Sequence, residues 1–280
     1  MTEGDRPTAR RRVCAVHQTQ NAEQEIEVVL EEPLALHLNG QQVAVLMRLP
    51  GQEKELAAGF CLSEGLVSDF SGVLTIHHCG QGLPVPGEKA GAEGGISRNR
   101  VEVRAREDVL RPDARLEVVR LIRAGCGAVD VARNALSLAP VEAALRVEAA
   151  VFWGLGPALR AAQSLHAEVG GVHAAGIFTA EGQLVVACED IGRHNAVDKA
   201  LGYCLLRGIP LADKILLSSG RLSYEMVAKV VRLGLPILAS VSAPTALAVA
   251  LAEQFNVTLV GYLRGQKMTL YAHPERIILP

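Results

Sequence analysis

The stretch of sequence that says most about the architecture is VHAAGIFTAEGQLVVACEDIGRHNAVDKALGYCLL, at residues 172–206. Its two apolar runs, residues 172–178 and 183–188, flank the turn AEGQ at 180–183, and this pattern predicts a β-hairpin. A helix is predicted directly after the hairpin, over residues 194–208. Strands followed at once by a helix are typical of α/β proteins.

The same alternation continues on both sides of this stretch. Downstream, the predicted elements are strand 214–218, helix 222–233, strand 236–241, helix 244–254, and strands 257–263 and 268–272. Upstream, a helix over 141–168 is expected to break at Gly154-Leu-Gly-Pro157. Alternation at this short spacing predicts an α/β lobe over residues 141–280, with a mixed or parallel sheet covered by helices on its faces.

The first part of the chain is predicted to form a smaller, β-rich lobe over residues 13–115. Asn39-Gly40 lies between two alternating apolar runs, which is a strong signal for a tight hairpin. The other predicted elements of this lobe are a helix, a loop and a strand, over 53–67, 79–99 and 101–106. Residues 1–12 are polar and arginine-rich and are predicted to be a disordered tail. Residues 116–140 are predicted to form a loop between the lobes that carries Cys126.

Composition narrows the classes of function and the compartment. The 280 residues include 28 basic and 30 acidic side chains, which is not the basic excess of a protein that binds duplex nucleic acid. The six cysteines form no Cys-x-x-Cys pair, and no secretory signal precedes them, so we expect reduced thiols in the cytoplasm. The uncharged stretch 233–252 contains Pro236 and Pro244, which favour a strand and then a helix opening at Pro244 over a membrane span.

Ligands of open α/β sheets bind beyond the carboxyl ends of the strands. In the second lobe these ends fall in four stretches rich in Gly, Ser, Arg and His, at 189–194, 218–221, 242–245 and 262–267. Backbone amides, hydroxyls and cations suit a phosphate or pyrophosphate better than an apolar ligand. Arg264 and Lys267 would clamp such a phosphate, although the turn that carries them is also an ordinary hairpin loop.

The segment EDIGRHNAVDKA at 189–200 is dense in functional groups. Asp190 or Asn195 would cap the following helix. A cap does not need all the polar residues found within one and a half turns, which are Arg193, His194, Asn195, Asp198 and Lys199. We therefore interpret the segment as a pocket wall. Cys188 lies beside it and is a weaker candidate nucleophile than Cys126.

Cys126 lies in the segment RAGCGA at 123–128. Its flanking glycines leave the sulfur sterically open, and Arg120 and Arg123 would lower its pKa by favouring the thiolate. The local sequence leaves two interpretations open, a reactive thiol and an ordinary cysteine in a flexible turn.

Two further motifs contain potential metal ligands but are not expected to form a metal site. His77-His78-Cys79 places three potential ligands in a row, but adjacent residues rarely bind one ion, so a polar loop is predicted. Zinc deaminases use His-x-Glu and a later Cys-x-x-Cys. After His173 the required glutamate is replaced by Ala175, so His173 is interpreted as structural or ligand-contacting.

Six segments carry a resemblance to a known family. They are KELAAGFCLSEGL (54–66), GGVHAAGIF (170–178), EDIGRHNAVDKALG (189–202), SGRLSYEMVAK (219–229), SVSAPTALAVALAE (240–253) and VTLVGYLRGQKMTLY (257–271). Together they resemble the formate dehydrogenase accessory sulfurtransferases, the FdhD family. The segments are long, ordered and span most of the chain, so they are more specific than any short motif.

The resemblance implies a fold and an activity. The second lobe would be a cytidine-deaminase-like α/β fold without its zinc, in a homodimer. The protein would accept sulfur from a cysteine desulfurase as a persulfide on Cys126. It would pass that sulfur to the molybdenum-containing bis(molybdopterin guanine dinucleotide) cofactor, bound as substrate, which formate dehydrogenase requires.

The resemblance also implies where the cofactor binds. The family's terminal cofactor-binding loop falls on Tyr262, Leu263, Arg264, Gly265, Gln266 and Lys267. The guanine dinucleotide arms contain pyrophosphates, for which the strand-end residues Arg193, His194, Gly220 and Arg221 are further candidate ligands.

The sequence departs from the family pattern at one position that matters for the chemistry. Many members carry Cys-x-x-Cys in the turn of Cys126, whereas Val129 occupies the second position here. A two-thiol relay within the turn is therefore excluded, and a persulfide shuttle on one cysteine is expected. A cofactor-binding chaperone without a covalent sulfur step stays open as an alternative, and a zinc hydrolase or deaminase is disfavoured.

Overall fold

The structure, a computed structural model, describes residues 7–18, 20–78, 99–111 and 138–279. Its strands are β1 (Thr8–His17), β2 (Gln20–Val29), β3 (Glu32–Leu38), β4 (Gln41–Arg48), β5 (Val73–His78), β6 (Arg100–Ala105), β7 (Val147–Glu148), β8 (His173–Phe178), β9 (Leu184–Asp190), β10 (Ile215–Ser218), β11 (Ile237–Ser240), β12 (Thr258–Arg264), β13 (Lys267–Ala272) and β14 (Ile277–Ile278). Its α-helices are α1 (Glu53–Ser63), α2 (Ala149–Ala162), α3 (Ser164–Glu168), α4 (Arg193–Leu206), α5 (Tyr224–Arg232) and α6 (Ala246–Gln254).

The second part of the chain is built on a six-stranded mixed sheet in the order β13-β12-β11-β10-β8-β9. Strands β10, β11 and β12 are parallel, whereas β8 and β13 run antiparallel to their neighbours. Apolar side chains of α4, α5 and α6 pack on one face of the sheet, and those of α2 pack on the other. The predicted mixed sheet with helices on both faces is therefore confirmed, and its likeness to cytidine deaminases stays a prediction.

The first part of the chain forms a four-stranded sheet in the order β4-β3-β6-β5, with its own apolar core against α1. The predicted hairpin at Asn39-Gly40 is confirmed. Both residues have positive φ, 49° and 81°, which is the conformation that a two-residue type I′ turn requires. Leu34, Leu36 and Leu38 alternate inward from β3 and are fully buried.

The two parts meet where helix α1 crosses helix α4. An added Cβ at Gly59 would lie 1.9 Å from the carbonyl oxygen of Asp198, and one at Gly202 would lie 1.8 Å from that of Glu55. Only glycine allows two backbones to approach this closely. At the end of the crossing, the buried Lys229 ammonium donates to both carboxylate oxygens of Asp198, at 2.9 and 2.8 Å, and to Ser63 Oγ at 2.9 Å.

The amino-terminal segment departs from the prediction of a disordered tail over residues 1–12. Residues 8–12 belong to β1, which pairs antiparallel with β2 along its whole length. The two strands carry complementary charges, since Arg10 Nε lies 3.1 Å from Glu27 Oε1 and Arg12 faces Glu25 in the register. Cross-strand pairs of opposite charge stabilise antiparallel strands. The prediction of a disordered tail considered only the composition of residues 1–12 and so did not detect this pairing.

Three other local predictions are wrong. His77 and His78 end strand β5 instead of lying in a polar loop. Helix α2 continues through the Gly154-Leu-Gly-Pro157 segment and ends at Ala162, because Gly154 and Pro157 lie on its exposed side, where water can bond the carbonyl freed by the proline. Helix α6 begins at Ala246 behind the capping Thr245, so Pro244 precedes the helix rather than opening it.

Several predicted features lie outside the described residues or concern the membrane. Most of the predicted loops at 79–99 and 116–140, with Cys79, Cys126 and Val129, lie outside the part of the chain that is described. The uncharged stretch 233–252 forms β11 and most of α6, as predicted. Within the described ranges, no helix has the length and apolarity needed to cross a membrane.

Candidate functional site

The candidate site lies at the sheet edge where the parallel strands end. His173 pairs with Asp190, Ser218 with Ala175, and Ser218 with Ser240 in the strand registers. The carboxyl ends of β9, β10, β11 and β12 therefore lie at the same edge as the first residue of β8. The structure thus brings the four predicted stretches, at 189–194, 218–221, 242–245 and 262–267, to one edge of the sheet.

A chain of hydrogen bonds joins these stretches to one another. Ser240 Oγ donates to the carbonyl of Gly220 at 2.6 Å, and Ser218 Oγ accepts from the amide of Gly220 at 3.2 Å. The amide of Tyr262 donates to the carbonyl of Ser242 at 2.9 Å. Arg264 Nε donates to the carbonyl of Val241 at 2.9 Å. The loops after β10, β11 and β12 are therefore held to one another.

Arg193 lies across the loop that follows β10. An added Cβ at Gly220 would meet the Cδ of Arg193 at 2.8 Å and its Cβ at 3.0 Å, so this side chain rests directly on the glycine. Nε of Arg193 is buried and has no hydrogen-bond partner among the described residues. Arg193 is also the first residue of α4, where free backbone amides and the helix dipole favour an anion.

Two histidines flank Arg193. Nδ1 of His173 lies 3.2 Å from Ser219 Oγ, and burial together with the charges of Arg193 and His194 lowers the pKa of His173. Nε2 of His194 lies 3.1 Å from Glu225 Oε2, and this hydrogen bond lowers the pKa of Glu225. His173 is consequently neutral at pH 7, and Glu225 is ionised. Sequence reasoning did not single out Ser219 or Glu225 individually as neighbours of the two histidines.

The loop between β12 and β13 contributes exposed polar groups and one buried anchor. Gly265 has φ 57° in the tight turn between Arg264 and Lys267, which pair in the register. Tyr262, Arg264, Gln266 and Lys267 are exposed, whereas the side chain of Leu263 is buried in the core. Of the predicted cofactor-binding residues in this loop, Leu263 therefore offers only its backbone to a ligand.

Four cations of this edge lack a carboxylate partner among the residues that the structure describes. Within the described part of the chain, none of the following forms an ion pair with a carboxylate: Arg193, Arg221, Arg264 and Lys267. Arg221, Arg264 and Lys267 are exposed. Unpaired guanidinium and ammonium groups beside helix amino termini attract phosphate or another anion.

The predicted pocket wall at 189–200 divides into two parts. Arg193 and His194 lie at the edge, but Asn195, Asp198 and Lys199 are buried and turned away from it. Lys199 Nζ lies 2.7 Å from Asp190 Oδ2 and donates to the carbonyl of Leu49 at 3.0 Å. The prediction of a pocket wall is therefore wrong for Asn195, Asp198 and Lys199, which contact α1, α5, or the end of β4 and Leu49 after it instead.

The spacing of these buried residues is a signal that could have been used. Asn195, Asp198, Lys199 and Gly202 are three, four and seven positions apart, so they share one face of α4. A polar stripe that ends in a glycine indicates a face that packs closely against another backbone. Arg193 and His194, the candidate site residues, precede this stripe in the first turn of the helix.

The described cysteines separate into buried and exposed thiols. Cys61, Cys188 and Cys204 are buried, and burial raises their pKa to about 12, 12 and 11, which leaves them protonated at neutral pH. Cys188 also accepts a hydrogen bond from Gln52 Nε2 at 3.5 Å. It is therefore inaccessible as a second nucleophile. Cys14 is exposed, and Cys126 lies outside the described residues.

No three His, Cys, Asp or Glu side chains of the described ranges converge as metal ligands. His173 is instead held by Ser219, and Ala175 lies buried in the sheet beside it. The edge therefore offers hydroxyls, backbone amides and cations to a ligand, rather than a set of ligands for zinc.

These features define an α/β protein with two packed lobes and a polar edge on the larger sheet that several cationic side chains line. Residues 29–278 match the FdhD/NarQ family. The chain belongs to that family.

Similar proteins cover nearly the whole chain. It is 40% identical to the sulfur carrier protein FdhD of Streptomyces avermitilis, over 98% of this chain and 97% of that protein. It is 36% identical to the sulfur carrier protein FdhD of Thermoplasma acidophilum, over 90% of this chain and 86% of that protein. A crystal structure from Desulfotalea psychrophila carries the provisional description of a formate dehydrogenase accessory protein. It superposes with a TM-score of 0.75 at 27% identity, and the match covers 98% of this chain and 100% of that one.

Proposed function

We propose that the protein is a sulfur carrier that serves formate dehydrogenase. In this proposal it takes sulfur from a cysteine desulfurase as a persulfide on Cys126 and transfers it to the bis(molybdopterin guanine dinucleotide) cofactor, bound as substrate. Relatives from distant organisms bear the name sulfur carrier protein FdhD, which supports the sulfur-carrying role. The observation that carries cofactor binding is the edge of unpaired cations around Arg193 and the 262–267 loop.

The first chemical step balances without an added oxidant or reductant. The Cys126 thiolate attacks the terminal sulfur of the donor's cysteine persulfide and forms a new S–S bond to it. The donor's own S–S bond breaks, and its electron pair leaves with the donor's thiolate. The sulfane sulfur and its proton are then carried on Cys126. Glycines on both sides of Cys126 suit a sulfur that must be reached by two large partners.

The other thiols support this assignment by their environment. A persulfide carrier needs a thiolate that its donor can reach, and the buried, protonated Cys61, Cys188 and Cys204 do not meet that need. Incubation with a cysteine desulfurase and cysteine, followed by mass spectrometry of the peptides, tests the assignment. We expect an adduct of about 32 Da, the mass of one sulfur atom, on the Cys126 peptide.

Two variants make the sulfur test specific. Cys126→Ala should abolish loading, while Cys14→Ala, which removes the exposed described thiol, should load normally. If Cys126→Ala still activates formate dehydrogenase and no adduct forms on the unmodified chain, the protein acts as a cofactor-binding chaperone without a sulfur step.

The cofactor-binding part of the proposal assigns the phosphates to the strand-end edge. Arg193, His194, Gly220 and Arg221 would contact pyrophosphate oxygens, and the 262–267 loop would cover them from the neighbouring strand. GDP, which reproduces the guanosine diphosphate arm, is the probe. Calorimetric titration should show binding to the wild-type chain. Arg221→Gln and Arg264→Gln should each weaken it about tenfold, or about 1.4 kcal/mol.

A matched control separates local contacts from overall charge. Arg104 is an exposed arginine on β6, in the other sheet. Arg104→Gln removes the same charge and should leave GDP affinity unchanged. Equal losses in all three variants would indicate non-specific electrostatics and refute the assignment. The homodimer and the cytoplasmic location implied by the family resemblance belong to the same proposal.

A further inference from the structure

Asp190, the last residue of β9, joins the candidate site to the other lobe. It is fully buried, and its two carboxylate oxygens serve different partners. Oδ1 accepts from the amide of Gly192 at 3.0 Å and from Asn195 Nδ2 at 3.0 Å, which closes the turn into helix α4. Oδ2 accepts from Lys199 Nζ at 2.7 Å and from the amide of Leu49 at 3.2 Å.

The partner segment, called the Met47–Leu49 connection, comprises the last two residues of β4 and the residue that follows the strand. The carbonyl of Met47 accepts from Asn195 Nδ2 at 2.8 Å, and the carbonyl of Leu49 accepts from Lys199 Nζ at 3.0 Å. Arg48, between them, points the other way and is fully buried, with its guanidinium 3.3 Å from Glu32 and 3.2 Å from Glu53. The connection is therefore held on both sides, by its own lobe through Arg48 and by the larger lobe through Asp190, Asn195 and Lys199.

The turn that Asp190 closes carries Arg193 and His194, two residues of the site. Gly192 is the N-cap of α4 and has no side chain to cap the helix, so the carboxylate of Asp190 supplies the acceptor that fixes this turn. Arg193 follows immediately and reaches Gly220, and His194 follows Arg193 and reaches Glu225. A shift of the turn would move both residues relative to the other loops.

A buried ion pair is weak evidence for stability, because the cost of removing two charges from water offsets their attraction. Asp190 and Lys199 also satisfy backbone groups of another lobe, which an apolar pair cannot do. This arrangement fixes the position of the Met47–Leu49 connection against the turn into helix α4. We propose that Asp190 is a positioning residue for Arg193 and His194, and that the Met47–Leu49 connection of the smaller lobe thereby sets the geometry of the anion site. The inference rests on the proposed function, since it assumes a phosphate ligand at that edge.

The chain offers a matched pair for the test. Asp190→Asn with Lys199→Met removes one buried acid–base pair. Asp198→Asn with Lys229→Met removes another, in which Lys229 also pairs with Glu64. Both acids flank or lie in α4, both pairs contact the smaller lobe, and both are nearly inaccessible to water. The pairs differ in that Asp198 contacts Ser63 of α1, whereas Asp190 holds the turn of Arg193.

Calorimetric titration with GDP, at a temperature where circular dichroism shows each variant folded, gives the readout. We expect the first double variant to bind GDP at least tenfold more weakly than the wild type and the second to bind within about twofold. Equal affinity in the first variant and the wild type would overturn the inference. Equal loss in both variants would also overturn it, because general loosening between the lobes would then explain the result.

A milder variant covers the case in which the first double variant does not fold. Asn195→Ala removes the amide that bridges Asp190 Oδ1 and Met47 and leaves the ion pair intact. It should weaken GDP binding several-fold, and unchanged affinity would count against positioning. If the wild-type chain itself fails to bind GDP, the proposed cofactor site is wrong, which is a different outcome from failure of the positioning role.

Discussion

Replacing Gly202 by alanine places a methyl group at the point where helix α1 touches helix α4. The added Cβ would lie 1.8 Å from the carbonyl oxygen of Glu55, 2.7 Å from its carbonyl carbon and 2.8 Å from the amide nitrogen of Gly59. All three are backbone atoms, so no side chain can rotate away to make room. The two helices would have to separate by roughly 1.5 Å to restore a normal contact near 3.5 Å.

The magnitude follows from two opposing effects. Inserting a methyl group into a packed interior costs about 1–3 kcal/mol, and rigid backbone neighbours favour the upper end. Alanine recovers about 1 kcal/mol, because glycine is the poorer residue in a helix interior. The net loss is about 2 kcal/mol. In a chain of this size such a loss lowers the midpoint of thermal unfolding by on the order of 5 °C.

Thermal unfolding followed by circular dichroism measures this effect, with Gly154→Ala as the control. Gly154 is also inside a helix, but a Cβ there meets no atom within 4 Å, so the same substitution should raise the midpoint by a few degrees. Gly59→Ala, whose Cβ would meet the Asp198 carbonyl at 1.9 Å, should resemble Gly202→Ala. A midpoint for Gly202→Ala equal to or above that of the wild type would refute the close crossing of α1 and α4.

Three further changes test the site and its support. Gly220→Ala displaces Arg193, whose Cδ would lie 2.8 Å from the added methyl group. GDP affinity measured by calorimetry should therefore fall about tenfold, while the midpoint of thermal unfolding stays unchanged. A stable variant with normal GDP affinity would contradict the contact. The pKa of His173 is lowered by burial and by the charges of Arg193 and His194, so this ring gains its proton only in acidic solution. Lowering the pH should therefore favour GDP binding more in the wild type than in His173→Gln, and identical pH profiles of the two would exclude His173. Lys229→Met leaves Asp198 buried without a cation, so the free energy of unfolding in denaturant should fall by about 3–5 kcal/mol. Adding Asp198→Asn should restore most of this stability, whereas additive losses in the double variant would contradict a direct pair.

The pKa of Lys229 illustrates why a buried pair responds so strongly to losing one member. Burial opposes the charge on the ammonium, but the carboxylates of Asp198 and Glu64 outweigh it and raise the pKa of Lys229. Burial likewise opposes ionisation of Glu64, and Lys229 reverses that effect and lowers the pKa of Glu64. For Asp198 itself burial is the larger effect and raises its pKa, although Lys229 opposes the rise. Removing the cation therefore leaves both acids without compensation in a dry environment.

The larger lobe could be predicted from local pattern because its strands are short, apolar and separated by turn residues. The hairpin at Asn39-Gly40 could be predicted equally well, because a turn with two positive φ values favours Asn followed by Gly. The β1–β2 ribbon was not predicted from its alternation, because both strands are mostly exposed and hence polar. Its signal lay in the pairing of Arg10 and Arg12 with Glu27 and Glu25, which is visible only when the two strands are compared.

The candidate site was predictable to the extent that topology determines it. Strand ends of a parallel sheet share an edge whatever the side chains are, so the loops after Asp190, Ser218 and Ser240 could be grouped from the sequence. The burial of Asp198 and Lys199 could not, because it depends on a second lobe whose helix α1 packs against α4. Local sequence shows that a helix carries polar residues, but it does not show whether their partner is a ligand or another part of the chain.

The cations of the chain fall into two sets that differ in their partners, although the net charge is only −2. Arg48, Lys199 and Lys229 are buried, and each has carboxylate partners within the fold. Arg48 is paired within the smaller lobe, whereas Lys199 and Lys229 also bond to groups of the smaller lobe. Paired in this way, these charges contribute little field outside. At the edge, Arg193 is half-buried and Arg221 is exposed, and neither has a carboxylate partner among the described residues. Local electrostatics near the edge is therefore set by these cations and by the amino termini of α4, α5 and α6, rather than by the net charge of the chain.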